Sequence, residues 1–164
     1  METIDHLLLD SALGRYLLPL LLLVVANTTA WATAHVFGTD LAAPLDFGIT
    51  LRDGTRLLGA HKTWRGLISA AVSCAVVTQT LQLGLLGGAL FGTLALTGDA
   101  ASSFVKRRLR IEPGAKVLGL DQLPEALFPL LILQRPLGLG FMECLIIAAS
   151  FGLLDIAATK IRRL

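Results

Sequence analysis

Asp99 lies toward the end of a long apolar run, where a carboxylate costs up to about 3 kcal/mol at the bilayer centre unless it has a partner, a wet cavity or a metal. On a helix, Ser102 at i+3, Ser103 at i+4 and Lys106 at i+7 share its face, so carboxylate, hydroxyls and ammonium stand in a row. A plain helix-end aspartate paired with Lys106 is the alternative. Two further clusters stand at the ends of other apolar segments: His61-Lys62-Thr63-Trp64-Arg65-Gly66 and Leu120-Asp121-Gln122-Leu123-Pro124-Glu125. Basic residues there have an ordinary use as cytoplasmic anchors against anionic lipid. That use needs no acids, whereas phosphate chemistry needs both signs: carboxylates to hold Mg2+ and cations to neutralise phosphate oxygens. Asp121 and Glu125, four apart, share a helix face and could ligate one ion, and Asp121 is equally well placed as an N-cap. His61 reads as a phosphate donor or a plain loop histidine, and Trp64 as an interfacial belt residue. Asp46, in the turn Pro44-Leu45-Asp46-Phe47-Gly48, reads as a surface residue unless its loop folds back over the site. Glu143 and Asp155 read as interhelical polar contacts or supports of the site.

The elements that must position these groups follow from composition. Of 164 residues 54% are hydrophobic and 16% charged, against roughly a quarter charged in soluble domains, and the mean hydropathy is +0.72. A soluble domain is excluded. The formal charge of +2 suggests neither a nucleic-acid binder nor an acidic disordered tail. Cys74 and Cys144 stand alone in apolar runs, as buried free thiols. Leu17 to Ala26 followed by Ala32-Thr33-Ala34 resembles a cleavable signal, but the leader carries Glu2, Asp5 and Asp10 against Arg15, so a retained anchor is expected.

The reading is all-α: a polytopic integral membrane protein, a single membrane domain over residues 1–164. It has about five transmembrane helices, near 16–36, 66–83, 88–104, 121–134 and 137–158, and two loops, 38–65 and 105–120. The fourth segment is the weakest: Leu123 to Leu133 holds Pro124, Glu125 and Pro129, and by length alone it suits a re-entrant piece. Charge favours a crossing. With five crossings, twelve of the fourteen basic residues fall on one side: Arg52, Arg56, Lys62 and Arg65; Lys106, Arg107, Arg108, Arg110 and Lys116; Lys160, Arg162 and Arg163. The positive-inside rule makes that side cytoplasmic, so the chain is expected in the inner, cytoplasmic membrane with its active site facing the cytoplasm.

Taken in order, Pro44-Leu45-Asp46-Phe47-Gly48, Asp53-Gly54, Leu58-Gly59-Ala60-His61-Lys62-Thr63-Trp64-Arg65-Gly66, Gly98-Asp99, Ser103-Phe104-Val105-Lys106-Arg107-Arg108, Pro113-Gly114 and Leu120-Asp121-Gln122-Leu123 resemble the CDP-archaeol synthases and their bacterial relatives, distant kin of phosphatidate cytidylyltransferases. Ser102 with Lys106-Arg107 is also similar to the opening of the wider cytidylyltransferase signature. Two positions depart from the archaeal pattern: Ala60 and Pro124 stand where aspartates are usual, with Glu125 one place after the second. The resemblance implies an enzyme that joins CTP to a lipid phosphate, phosphatidate or an archaeol-type ether-lipid phosphate, releasing pyrophosphate. It implies Asp99, Lys106, Arg107 and Asp121 as catalytic residues, and Asp99, Asp121 and Glu125 as ligands of Mg2+. Substrate binding falls to Asp46, His61, Lys62, Thr63, Arg65, Ser102, Ser103, Arg108 and Gln122. Membrane lipids are the surroundings, no nucleic acid is involved, and a homodimer is compatible. The rivals are a small transporter or channel for an anion, which calls for charges near the midplane, and a non-catalytic membrane organiser, which has no use for Asp99, Asp121 and Glu125.

Overall fold

A computed structural model describes residues 12–112, 115 and 117–161. The chain is all-helical: α1 (Ala12–Phe37), α2 (Trp64–Thr80), α3 (Leu85–Arg108), α4 (Gln122–Ile132) and α5 (Phe141–Ile161). Each expected segment has its helix. The leader acids Glu2, Asp5 and Asp10, the Pro113-Gly114 turn, Lys116, Arg162 and Arg163 lie outside the described residues. α1, α3 and α5 are long and apolar enough to cross a membrane, and the chain is an integral membrane protein. α2, with 17 residues, is shorter, yet Ile68, Val72 and Val76 are exposed at four-residue spacing along one side, a stripe suited to lipid. α4 has 11 residues, with Ala126 and Leu130 fully buried between its neighbours. Pro124 falls in its first turn, where the missing N–H has no intrahelical partner to lose.

α3 runs four residues beyond the expected end, so Lys106, Arg107 and Arg108 form its last turn rather than opening the loop. Cations there complement the negative end of the helix dipole. α3 packs against α2, α4 and α1, and glycines set how closely. A methyl at Gly88 would strike the Cys74 carbonyl, at Gly92 the Ala70 carbonyl, and at Gly98 the Pro124 carbonyl. Gly98 therefore lets the start of α4 lie directly against the residue before Asp99. The core gathers Leu23 and Ala26 of α1, Ala70 and Cys74 of α2, Phe91 and Ala95 of α3, Leu130 of α4, and Ile147 and Phe151 of α5. Cys74 and Cys144 are buried free thiols, as expected. Between apolar helices in lipid, packing and hydrogen bonds do the holding. Thr29 shares a hydrogen bond of 2.9 Å with Ser73, and Thr33 one of 3.3 Å with Ser69, a hydroxyl ladder from α1 to α2 worth about 0.6 kcal/mol per rung.

Candidate functional site

One cavity of about 640 Å3 is lined by the C-terminal half of α1, the N-terminus of α2, the C-terminal half of α3, the N-terminus of α4 and Asp155 near the end of α5. Five alternating helix directions thus bring residues from 27 to 155 to one end of the bundle. Four carboxylates line it, Asp99, Asp121, Glu125 and Asp155, facing three cations, Lys62, Arg65 and Lys106.

Two lysine–aspartate pairs cross between elements. The Lys62 ammonium, brought in just before α2 begins, donates to Asp99 Oδ2 of α3. Lys106 Nζ, two turns further along α3, sits 2.5 Å from Asp121 Oδ1 and donates to the Ala115 carbonyl at 3.3 Å. The Asp99–Lys106 pair that spacing allows within α3 is not the one formed; each of these residues takes a partner from another element. Asp121 stands at the N-cap position of α4 without capping it. Its Oδ2 accepts from the Val117 amide at 3.0 Å, and Oδ1 is buried with ionic contact to Lys106 but no hydrogen bond. Glu125, 5% exposed, accepts from Asn27 Nδ2 of α1 at 2.9 Å.

Lys62 is delivered by the first loop, which is a short antiparallel strap. Pro44 bridges Thr63 and Thr50 bridges Arg56, and the strap turns over at Gly54, whose φ of +77° suits glycine. Asp46 is its hub. The loop folds back, so Asp46 is not a surface residue: it is 2% exposed and lines neither this cavity nor its neighbour. Its Oδ1 accepts from the Gly48 amide at 3.0 Å and from Arg56 Nη2 at 2.6 Å, and its Oδ2 from the amides of Leu58 at 3.1 Å and Gly59 at 3.0 Å. Burial acts to raise its pKa, but those amides and the guanidinium outweigh burial and hold the carboxyl well below the usual range. Arg108 ties the strap to α3, donating to Asp53 Oδ2 at 2.6 Å, Thr55 Oγ1 at 2.5 Å and the Arg56 carbonyl at 2.9 Å.

The remaining expected residues divide. His61, Lys62, Thr63 and Arg65 line the cavity. Thr63 also caps α2, accepting from the Gly66 amide at 3.2 Å, and Arg65 donates to the carbonyls of Asp40 and Gly38. Ser102 and Ser103 are buried in α3 outside the cavity wall, and the Ser102 hydroxyl donates to the Asp99 carbonyl at 2.8 Å. Gln122 joins α4 to α5, donating to Asp155 Oδ2 at 3.0 Å. Arg107 donates to the Glu112 carbonyl at 3.1 Å and lines a second cavity. Glu143 is at the far end of the bundle, accepting from Tyr16 at 3.1 Å and from the Gly140 amide at 2.6 Å. Asn27 is a polar wall residue that sequence reasoning missed, and its signal was present: an amide within an apolar span needs a polar partner.

No three His, Cys, Asp or Glu side chains among the described residues form a group able to hold a metal ion alone. Mg2+ bound through one or two carboxylates and substrate phosphates needs no such group. Asp99 and Asp121 fit that mode, since both carboxylates line the cavity and each is held by a lysine that could turn to phosphate.

A solved structure of an intramembrane enzyme for archaeal membrane lipid biosynthesis aligns over 85% of this chain and 91% of its own length, at 34% identity and a TM-score of 0.70. The CDP-archaeol synthase of Pyrococcus furiosus is 40% identical over 89 residues, 48% of this chain and 53% of that one. That of Methanopyrus kandleri is 47% identical over 88 residues, covering 49% and 50%, and that of Aeropyrum pernix is 42% identical over 113 residues, covering 65% and 64%. The chain spans about half the length of the curated relatives it matches. The sequence profile of the CarS-like CDP-archaeol synthases matches residues 13–90 and 83–161, nearly the whole length, and the chain belongs to that family.

Proposed function

We propose that the chain is a CTP-dependent cytidylyltransferase that activates a lipid phosphate to a CDP-lipid, working at the cytoplasmic face of the inner membrane. The observation that carries this reading is the single cavity where Asp99, Asp121, Glu125 and Asp155 meet Lys62, Arg65 and Lys106 at one end of a membrane bundle. Charges gathered at the helix ends, rather than along a path through the midplane, argue against a transporter. A non-catalytic organiser leaves the four carboxylates without a role.

The lipid phosphate, phosphatidate or an archaeol-type ether-lipid phosphate, carries about −1.5 to −2 charge at neutral pH, so its oxygen attacks without a general base. That oxygen bonds to the α-phosphorus of CTP as the bond from the α-phosphorus to the β-bridging oxygen breaks, and pyrophosphate leaves with the electron pair. The barrier is the meeting of two polyanions. Lys62 and Lys106, each held beside an aspartate on the wall, present ammonium groups to phosphate oxygens, with Arg65 on the same wall. Asp99 and Asp121 would hold Mg2+, which when bound neutralises charge on the CTP phosphates, with Glu125 beside them. Asn27 keeps Glu125 oriented, and Gln122 does the same for Asp155.

Purified protein given CTP, Mg2+ and a panel of phosphatidic and ether-lipid phosphates should release pyrophosphate and form a CDP-lipid with at least one of them. Absence of release with every lipid overturns the reading. A C-terminal reporter should score as cytoplasmic, and an extracytoplasmic score removes the five-crossing topology.

A further inference from the structure

A second cavity, about 420 Å3, adjoins the first and shares Ala60 and His61 with it. Its chemistry is opposite. Arg56, Arg107 and Arg110 line it with His61, and Glu112 is the one carboxylate on its wall. Arg56 is paired with Asp46 outside the cavity. Arg107, 9% exposed, has only the Glu112 carbonyl as its partner among the described residues, and its Nε is buried without a hydrogen bond, as is that of Arg56. A buried guanidinium with no carboxylate calls for an anion. Arg110 stands on a left-handed backbone, φ 55°, at the cavity's exposed edge. Arg110, with Arg107 and His61 beside it on the wall, suits phosphate oxygens. With one carboxylate against three arginines, the wall suits an anion that comes without a divalent ion.

We propose that this cavity binds pyrophosphate. Resting on the cytidylyltransferase reading, the inference is that the leaving group passes His61 from the carboxylate-bearing cavity into the arginine-lined one, which holds it apart from the reacting phosphorus. The two cavities then divide the triphosphate chemistry: cleavage where carboxylates and lysines meet, capture where arginines outnumber the one carboxylate on the wall.

Isothermal titration of pyrophosphate into purified protein in neutral detergent, without nucleotide or divalent ions, tests this. Arg110→Ala, at an exposed position outside the first cavity, should weaken pyrophosphate binding by about tenfold or more, the usual effect of losing one charged contact, while CTP binding changes less than about threefold. Arg110→Lys keeps the charge without the fork and should fall between. In the turnover assay, inhibition by added pyrophosphate should weaken in the same order. Unchanged pyrophosphate binding in Arg110→Ala overturns the inference, as does an equal loss of CTP binding. Competition by nanodiscs containing phosphatidylglycerol, but not by phosphatidylcholine nanodiscs, would assign the arginines to a lipid headgroup and overturn it too. The binding arm needs no turnover, so an inactive protein that still binds pyrophosphate through Arg110 separates failure of the proposed function from failure of this site.

Discussion

Two regions of this molecule use aspartate–cation pairs for different ends. Around the main cavity the cations are lysines, Lys62 on Asp99 and Lys106 on Asp121, largely enclosed with side-chain exposures between 10% and 22%, and each pair lines the cavity wall. In the strap the cations are arginines, Arg56 on Asp46 and Arg108 on Asp53, and each pair sits within a wider net: Asp46 accepts from four donors and Arg108 donates to three acceptors. An ammonium is a point charge with rotatable donors, so a lysine pair can trade partners at low cost, whereas a guanidinium fork held at several points cannot move without leaving several groups unmet. The difference teaches that charged side chains of this chain which look alike in sequence divide into those placed to change partners and those placed to hold the loop that delivers them.

The largest effects on turnover should come from the two lysine pairs on the cavity wall. Asp99→Asn and Asp121→Asn should each lower turnover by about 100-fold to 1,000-fold, the usual effect of losing one well-placed electrostatic group, with little change in the unfolding midpoint. Pyrophosphate release and a thermal melt in the same detergent measure both. A variant that melts early but turns over normally once folded would break the comparison, because it would make that lysine pair a structural one.

Asp46→Ala should do the reverse. It strips the acceptor from the Gly48, Leu58 and Gly59 amides and leaves Arg56 without its counter-charge, a loss on the order of 3 to 5 kcal/mol. The pH dependence has a definite sign. The folded carboxyl titrates below its unfolded value, so between the two the unfolded chain binds more protons. The stabilisation is therefore complete above the unfolded value of about 3.9 and is lost as pH falls from there through the folded one. Thermal melts between pH 5 and pH 3 should show parent stability falling, and Asp46→Asn, which cannot titrate, should lose less over the same interval. Parallel slopes in the two proteins would remove Asp46 from its role as hub.

Much of the fold was legible because apolar runs broken by charged mouths leave few arrangements, and even the short fourth segment has its helix. That Lys62, Asp99, Lys106 and Asp121 would come together on one cavity wall was legible for the same reason: ionisable groups at the ends of apolar segments need partners. Who pairs with whom was not. Asp99 and Lys106 share a helix face in sequence, yet Asp99 bonds Lys62, 37 residues away, because Gly98 and the strap bring other elements closer. Asp46 and Asp53 both read as turn residues. Only the return of the chain over Asp46 makes one a buried hub and leaves the other at the surface, and that depends on contacts of Leu58 and Gly59 that no local pattern reveals. Asp155 was read as a polar contact between helices, which its bond to Gln122 matches.

The smallest effect sharpens the comparison most, because it concerns a residue whose sequence context pointed to substrate. Arg108 belongs to the run Lys106-Arg107-Arg108 and resembles a phosphate ligand, yet its guanidinium spans Asp53, Thr55 and the Arg56 carbonyl and lies 5.2 Å above the Phe104 ring. Thr55, first through its amide and then its hydroxyl, holds the Asp53 carboxyl below the usual range, and Arg108 adds to that, so the pair persists at neutral pH. Arg108→Lys keeps the charge and gives up the fork. If Arg108 acts by fastening the strap, KM for CTP should stay within about threefold of the parent, a change of under 1 kcal/mol. Hydrogen exchange should then rise in the strap amides that Leu51 and Leu57 donate to Thr55 and Ile49. Salt should reproduce part of that loosening in the parent, because an exposed pair is screened at the roughly 8 Å Debye length of physiological ionic strength. If instead Arg108 grips a phosphate, the substitution should raise KM for CTP about tenfold or more and leave strap exchange unchanged. The second outcome would move Arg108 from the holding set to the exchanging set, and the division would then follow distance from the cavity rather than lysine against arginine.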